Sequence, residues 1–272
     1  MSGKPAPQML DYWEERAKSA DDPWHPVYEG RLDLSNYNFV TRRNAVMRLL
    51  AGQGDFGRIL DVGCGTGDYG ELSVRHRGEY HGVDFAYAMI SQARRRNQGM
   101  THQDRFLVGS GESLPYRDGS FDLAIGIGYI EYFADPNLPL AELARVLRPG
   151  GVLVLQSFKP ELLGKLYGAL AHPLRTLSSG GPKPAVPKPG EWIDTQYDQG
   201  QLDGLVGAHG FGRIGHLFNH FYVFPGPVRR AFPALHIKTS EAIGRLAPDL
   251  CSALAVNYFG VYRLSGKDNG RP

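Results

Sequence analysis

From Arg58 onward, short apolar runs alternate with longer stretches in which apolar residues recur every three or four positions. The runs Arg58–Val62, Tyr80–Val83, Arg105–Val108, Phe121–Ile127 and Val152–Gln156 predict strands. The stretches about Tyr69–Arg77, Tyr87–Asn97 and Leu138–Leu147 predict the helices between them. Such alternation builds βαβ units, hence an α/β protein with a mostly parallel sheet covered by helices. Ligands of open α/β sheets bind beyond the C-terminal ends of the strands, so the loops after these runs are where chemistry is expected.

The flanks break this rhythm. Before the block, Tyr12, Trp13 and Arg16 lie in a charged helical stretch stopped by Asp22-Pro23-Trp24-His25-Pro26, and a second helix is predicted from Tyr37 to Leu50. After it, Glu161–Leu170 reads as helix and Ser178–Gly190 as a Pro-, Gly- and Lys-rich loop with too few apolar groups to pack. A helix near Gln201–Ala208 ending at Gly210, a β run near Arg213–Phe224, a helical insertion about Lys238–Leu246 and a last strand at Val256–Leu264 follow. The plan is an N-terminal helical lid (1–50), a ligand-binding core (51–158), an insertion with the Pro/Gly loop (159–200) and a completion of the sheet (201–272) with a helical insertion about 225–254.

Composition narrows the function. Of 272 residues, 42% are hydrophobic and 21% charged, enough for a sizeable core. Thirty Lys and Arg against 28 Asp and Glu leave a formal charge of +2, which argues against a nucleic-acid partner. No apolar run approaches the ~18 residues of a membrane-spanning helix, and no secretory segment is evident, so a cytoplasmic location is expected. Cys64 and Cys251 are too few for a disulfide framework or a metal cluster. His216 and His220 fall four apart in a strand-like run, on one face, but no Asp, Glu or Cys accompanies them at ligand spacing, and no metal is predicted. His25, beside Trp24 and Tyr28, reads as a lid residue or an exposed loop histidine, with the latter favoured, and Arg94-Arg95-Arg96 as a solvated helix end.

The most informative stretch is Asp61-Val62-Gly63-Cys64-Gly65-Thr66-Gly67-Asp68-Tyr69-Gly70, a strand running into a glycine-rich turn. Glycines allow a sharp turn and let a ligand approach the main chain. Gly65 to Gly70 satisfies GxGxxG, and Asp84 follows about 20 residues later, as a dinucleotide fingerprint expects. Asp61 and Asp68 bracket the turn, however, and repel a pyrophosphate. Carboxylates there suit an amine or a sulfonium better.

Five motifs in order make the chain resemble the class I S-adenosylmethionine (SAM)-dependent methyltransferases over about Tyr37 to Phe158, and more faintly in the closing strands. Asp61–Gly67 is similar to their DxGxGxG motif, and Val83-Asp84-Phe85 to their second-strand motif, with Met89-Ile90 and Ala93-Arg94 in the helix after it. Gly109–Tyr116 resembles the GDAExLPF segment, Phe121-Asp122 and Glu131–Pro136 the fourth-strand segment, and Glu142–Val154 the helix, turn and fifth strand. The resemblance implies a Rossmann-like, mostly parallel seven-stranded sheet with helices on both faces and added lid or cap segments. It also implies SAM as cofactor, with S-adenosylhomocysteine (SAH) as product.

Residue by residue, Asp61 is expected to reach the methionyl amine or to fix the loop as a buried acceptor, while Gly63, Gly65 and Gly67 bring the backbone close. Asp84 accepts from the ribose hydroxyls or caps the next helix, and the spacing favours ribose. Phe85 covers an adenine face or packs in the core. Ser110, Gly111, Glu112 and Ile127 complete the cofactor set; Ser110 stands where the family has Asp and offers no charge to the adenine amine, which Glu112 is placed to supply. Cys64 packs, since methyl transfer needs no enzyme nucleophile. Direct in-line displacement asks the protein mainly to hold acceptor and methyl in line. Glu131 and Tyr132, where many relatives have His, are the catalytic candidates; Glu131 is equally a loop-stabilising carboxylate.

The added segments are rich in aromatics: Trp13, Trp24, Tyr28, Tyr37, Tyr167, Trp192, Tyr197, Phe221, Tyr222, Phe224 and Phe232. An apolar pocket for a small aromatic or amphipathic acceptor follows, with oxygen ahead of nitrogen or carbon as the methylated atom. Two other functions stay open: a catalytically silent SAM-binding partner protein, and an NAD(P)-dependent dehydrogenase resting on GxGxxG alone.

Overall fold

The computed structural model describes residues 7–18, 32–34, 36–98, 105–159 and 195–266. Its elements in chain order are α1 (Pro7–Lys18), α2 (Tyr37–Leu50), β1 (Arg58–Val62), α3 (Leu72–Arg75), β2 (Glu79–Asp84), α4 (Tyr87–Arg96), β3 (Phe106–Val108), β4 (Phe121–Ile127), α5 (Asn137–Val146), β5 (Leu147–Phe158), α6 (Gln199–Gly207), β6 (Phe211–Phe221), α7 (Gly226–Ala231), α8 (Pro233–Leu246) and β7 (Ala255–Leu264). The strands form one sheet in the order β3-β2-β1-β4-β5-β7-β6. The pairs from β3 to β5 are parallel, and β7 runs antiparallel to both β5 and β6. This is the seven-stranded Rossmann-like sheet that the motifs imply.

Strand residues alternate between two cores, because successive side chains point to opposite faces. Leu60, Ala124, Leu153 and Leu155 pack with Leu140, Leu143 and Leu202 on one face. Ile59, Leu123, Ile125, Val152 and Val154 pack with Val46, Leu50 and Ile90 on the other. Burial on both faces is why these strands read as continuous apolar runs.

Several boundaries differ from those the sequence predicts. The helix expected over Tyr69–Arg77 shrinks to Leu72–Arg75, because the preceding turn closes with three-residue hydrogen bonds, Gly70 N–H to the Gly67 carbonyl (3.2 Å) and Leu72 N–H to that of Tyr69 (2.9 Å). The turn expected at Pro149–Gly151 lies within β5, where the pairing with β4 shifts register between Phe121 and Leu123. β6 stops at Phe221, short of Phe224, one residue after His220 takes a left-handed φ of 57°. The insertion before β7 is two helices, α7 and α8, with a proline near the start of each. The readings at Glu161–Leu170, Ser178–Gly190, Trp24, His25, Tyr28, Tyr167 and Trp192 lie outside the described residues.

α1 packs along α4. Ala17 joins Ala86, Ala88 and Met89 in a small core, and the Gln92 side-chain amide donates to the Ala17 carbonyl. The Glu14 carboxylate accepts from Ala88 N–H (3.2 Å), supplying a partner and a negative charge at the first turn of α4.

Candidate active site

A cavity of about 500 Å³ opens at the C-terminal ends of β1, β2 and β4. Nine of the residues predicted from sequence line it: Gly63, Gly65, Asp84, Phe85, Ser110, Gly111, Glu112, Ile127 and Tyr132. They come from the ends of four strands, which the parallel order β3-β2-β1-β4 brings side by side.

Asp84 ends β2 and is buried. One carboxylate oxygen accepts from Gly65 N–H (2.9 Å) and the other from Ala86 N–H (2.9 Å). Both readings of this residue therefore find a physical basis: it ties the glycine turn to the start of α4, and it lines the cavity. Burial pushes its pKa up to about 6, against the lowering pull of the backbone N–H donors of Ala86, Gly65 and Phe85. Gly65 adopts φ +51°, and an added Cβ there meets nothing within 4 Å, so the turn leaves open space beside its backbone. A buried carboxylate beside an open glycine turn fits the ribose and amino-acid head of SAM.

Three predicted residues do not line the cavity. Asp61 is fully buried on β1 and accepts from the Tyr80 hydroxyl; burial, with Asp68 and Asp84 nearby, holds its carboxyl well above the usual range. This is the geometry of the acceptor that fixes the strand end. Gly67 faces inward, where an added Cβ lies 2.9 Å from Asn97 and Phe106, so it serves packing. Glu131 is fully buried in a short helical turn, and its carbonyl accepts from Thr195 N–H (2.9 Å). Tyr132 is the catalytic candidate on the cavity wall, edge-on to Trp13 of α1 at 6.3 Å between ring centres.

The arginine run is a solvated face at Arg94 and Arg95, while Arg96 turns partly inward. Arg96 pairs with Asp68 and donates to Thr66 Oγ1 (2.6 Å), clamping the glycine turn, and Arg94 donates to the Phe106 carbonyl (2.7 Å). Asp68 therefore presents less negative charge to the cavity than its sequence position suggests. His216 pairs with Asp249 (2.9 Å), whereas His220 packs against Tyr37, Tyr222 and His236. The pair expected on one face thus separates, because the left-handed turn at His220 breaks the strand alternation. Among the described residues no three His, Cys, Asp or Glu converge as a metal cluster.

Among the cavity residues that sequence reasoning missed, Arg42 and Tyr129 carry polar groups into the interior. Arg42 of α2 lies over the rings of Phe39 (5.0 Å) and Phe158 (5.5 Å) and donates to Gln156 Oε1 (3.4 Å). Among the described residues it has no carboxylate partner, and its Nε is buried without an acceptor. The spacing of Phe39 and Arg42, three apart on one helix face, is the signal that was available. Tyr129 fills the cleft that Gly63 and Gly111 leave; its hydroxyl is buried with no partner among the described residues, and burial raises it well above its ordinary value.

The sheet order, the glycine turn and the carboxylate ending β2 define a class I SAM-binding fold. Comparison with known proteins agrees. Residues 60–155 match the methyltransferase domain family. The chain is 43% identical over 107 residues to a demethylmenaquinone methyltransferase of Thermus thermophilus, covering 38% of this chain and 48% of that one. It is 32% identical over 162 residues to a malonyl-[acyl-carrier protein] O-methyltransferase of Geobacter sulfurreducens, covering 57% and 59%. The chain spans about half the length of the curated relatives it matches. Among solved structures, a Haloferax volcanii methyltransferase in complex with the Trm112 activator superposes with a TM-score of 0.62 at 18% identity, covering 97% of this chain and all of that one. Residues 60–155 thus carry the methyltransferase-domain match on a class I fold, and this similarity implies SAM as the ligand of the cavity they line.

Proposed function

We propose that this protein transfers a methyl group to a small aromatic or amphipathic acceptor through an acidic oxygen, a phenol-like hydroxyl or a carboxylate. The observation that carries the reading is Arg42, a guanidinium without a carboxylate partner among the described residues, set between two aromatic rings on the cavity wall. SAM, when bound, supplies an activated methyl group. The protein's own work is then positioning. Asp84, Gly63 and Gly65 hold the cofactor end of the cavity, while Trp13, Phe39, Tyr132, Phe133 and Phe158 offer apolar surface to the acceptor. Among the described residues the lining contains no histidine. An oxygen ionised at neutral pH needs no base, and Arg42 favours its ionised form. The O-methyltransferase named among the relatives is consistent with oxygen as the target.

The test is a methylation screen of phenols, quinols and carboxylic acids, with SAH as the common readout, on the wild-type chain and on Arg42→Ala and Arg42→Lys. Loss of one charge-assisted contact is expected to raise acceptor KM or lower kcat/KM by ~10–100-fold, with SAM affinity little changed. A loss confined to SAM affinity moves Arg42 to the amino-acid head of the cofactor. SAM binding without turnover on any acceptor sinks the enzyme reading in favour of a silent SAM-binding partner.

A further inference from the structure

The helical insertion between β6 and β7 carries apolar residues on two sides. The inner side of α8 is His236, Ile237 and Ser240, all buried, with Ser240 accepting from Phe221 N–H (2.9 Å). The outer side carries Leu235 and Leu246, 52% and 85% exposed, with Phe232 at the α7–α8 corner 59% exposed. At ~100° per residue, Leu235, Ala242 and Leu246 fall within about 40° of one another, and Lys238 and Arg245 border that stripe. Leu250, beyond the helix, is 86% exposed. Half of the large apolar side chains exposed among the described residues lie between Val228 and Leu250, which makes this a patch rather than scatter. Within α7 and α8, Arg229, Arg230, Lys238 and Arg245 stand against Glu241 alone.

We propose that this face docks on the surface of a bilayer containing anionic lipids, with Phe232, Leu235 and Leu246 entering the headgroup–acyl boundary and the cations meeting the headgroups. An apolar ridge with a basic border and an aromatic corner is the composition of an interfacial helix. A second copy of the chain fits less well. Two-fold pairing through this face sets the same cations of both copies against one another. The face also adjoins the cavity. Tyr37, the first residue of α2, contacts His236 on the inner side of α8, and its neighbours Asn38 and Phe39 line the cavity. Docking here brings the cavity beside the phase in which amphipathic molecules concentrate. The inference goes beyond the methyl-transfer reading, and its test uses neither cofactor nor acceptor.

The test is co-sedimentation of the full chain with phosphatidylcholine vesicles, with and without phosphatidylglycerol. Binding is expected only with phosphatidylglycerol and is expected to fall as salt rises. Phe232→Ser with Leu246→Ser, and separately Lys238→Glu with Arg245→Glu, are each expected to weaken partitioning roughly tenfold or more. These positions are exposed, so the thermal unfolding midpoint and the far-UV circular dichroism should stay at wild-type values and report an intact fold. Equal binding to neutral vesicles, binding to neither, or unaltered partitioning of both double variants overturns the proposal. So does a dimer by light scattering that the serine pair dissolves, since that assigns the ridge to a second copy.

Discussion

The two halves of the sheet bury polar groups for different ends. On the β3-β2-β1-β4 side two buried carboxylates lie close to the ends of their strands, Asp61 held by a tyrosine hydroxyl and Asp84 by backbone N–H donors at the edge of a cavity. On the β5-β7-β6 side buried polar groups form a neutral ladder. Gln156 donates to Asn257 (3.2 Å), Asn257 donates to Asn38 (2.8 Å), and His220 meets the same Asn38 oxygen (3.1 Å). In the first arrangement Asp84 keeps a carboxylate on the cavity wall, while Asp61 is turned inward onto Tyr80. The second spends its hydrogen bonds internally and fixes the packing of α2 against the antiparallel strands. Burial moves the two sets in opposite directions: Asp84 rises to about 6, while His220 and His236 fall to about 3 and about 4, with Arg229 adding to the depression of both.

The largest way to break this contrast is Asp84→Ala. Removing a carboxylate that accepts from the cofactor diol is expected to weaken SAM and SAH binding ~100-fold or more by calorimetry, since hydrogen bonds to charged groups contribute about 1.5–3 kcal/mol each. A related test is pH. Hydroxyl donors favour the ionised carboxylate, so affinity should fall as pH drops below about 6, approaching tenfold per pH unit. Asp84→Asn should bind weakly with a flat profile; a wild-type chain with no pH dependence between 4 and 7 would contradict the role. The same raised pKa means that ionising Asp84 costs the apo fold stability as pH rises from about 4 to about 6.

Next in size is Gly111→Ala. Its Cβ would lie 1.8 Å from the Tyr129 hydroxyl, so overpacking of ~1–3 kcal/mol is expected in denaturant unfolding. Tyr129→Phe in the same chain should recover part of that loss, because the hydroxyl is the nearest clash. Alone, Tyr129→Phe removes a buried hydroxyl without a partner among the described residues, and stability should hold or rise by up to ~1 kcal/mol. A clear drop instead reveals a partner for that oxygen.

The smallest effect near neutral pH concerns the histidines. Both rings are held neutral in the fold, whereas unfolded histidine takes up a proton near pH 6.5. The unfolded chain therefore binds more protons, and stability should fall as pH drops from about 6.5 toward about 4. His236→Phe should flatten this slope in urea titrations at stepped pH, while leaving the SAM-binding profile to Asp84.

The same contrast governs what the sequence discloses. β1 and β4 were readable to the residue, because burial on both faces imposes mostly apolar runs, and a glycine, Gly63 or Gly128, follows each. Asp84 was readable because its distance from the glycine turn is set by one βαβ unit. Asp61 is harder to place: a carboxylate next to a glycine turn looks exposed in sequence, and only the tertiary position of Tyr80 shows that it is buried against that hydroxyl. Arg42 hides in an ordinary amphipathic helix, and its isolation depends on Phe158, more than a hundred residues away. The length of β6 could not be read either, since the left-handed residue that precedes its end is a histidine and not a glycine.

The position of β7 has a consequence for how the chain is made. β6 precedes β7 in the chain yet, among the described residues, pairs only with it, and β7 is wedged between β5 and β6. On the ribosome, β1 to β5 can assemble as they emerge, and the glycine turn can form with them. β6 and the two helices after it then wait without a hydrogen-bonding neighbour until residues 255–264 arrive. For that interval the nascent chain presents an open edge on β5 and an unpaired β6, the moment at which it most needs shielding from its neighbours on the polysome.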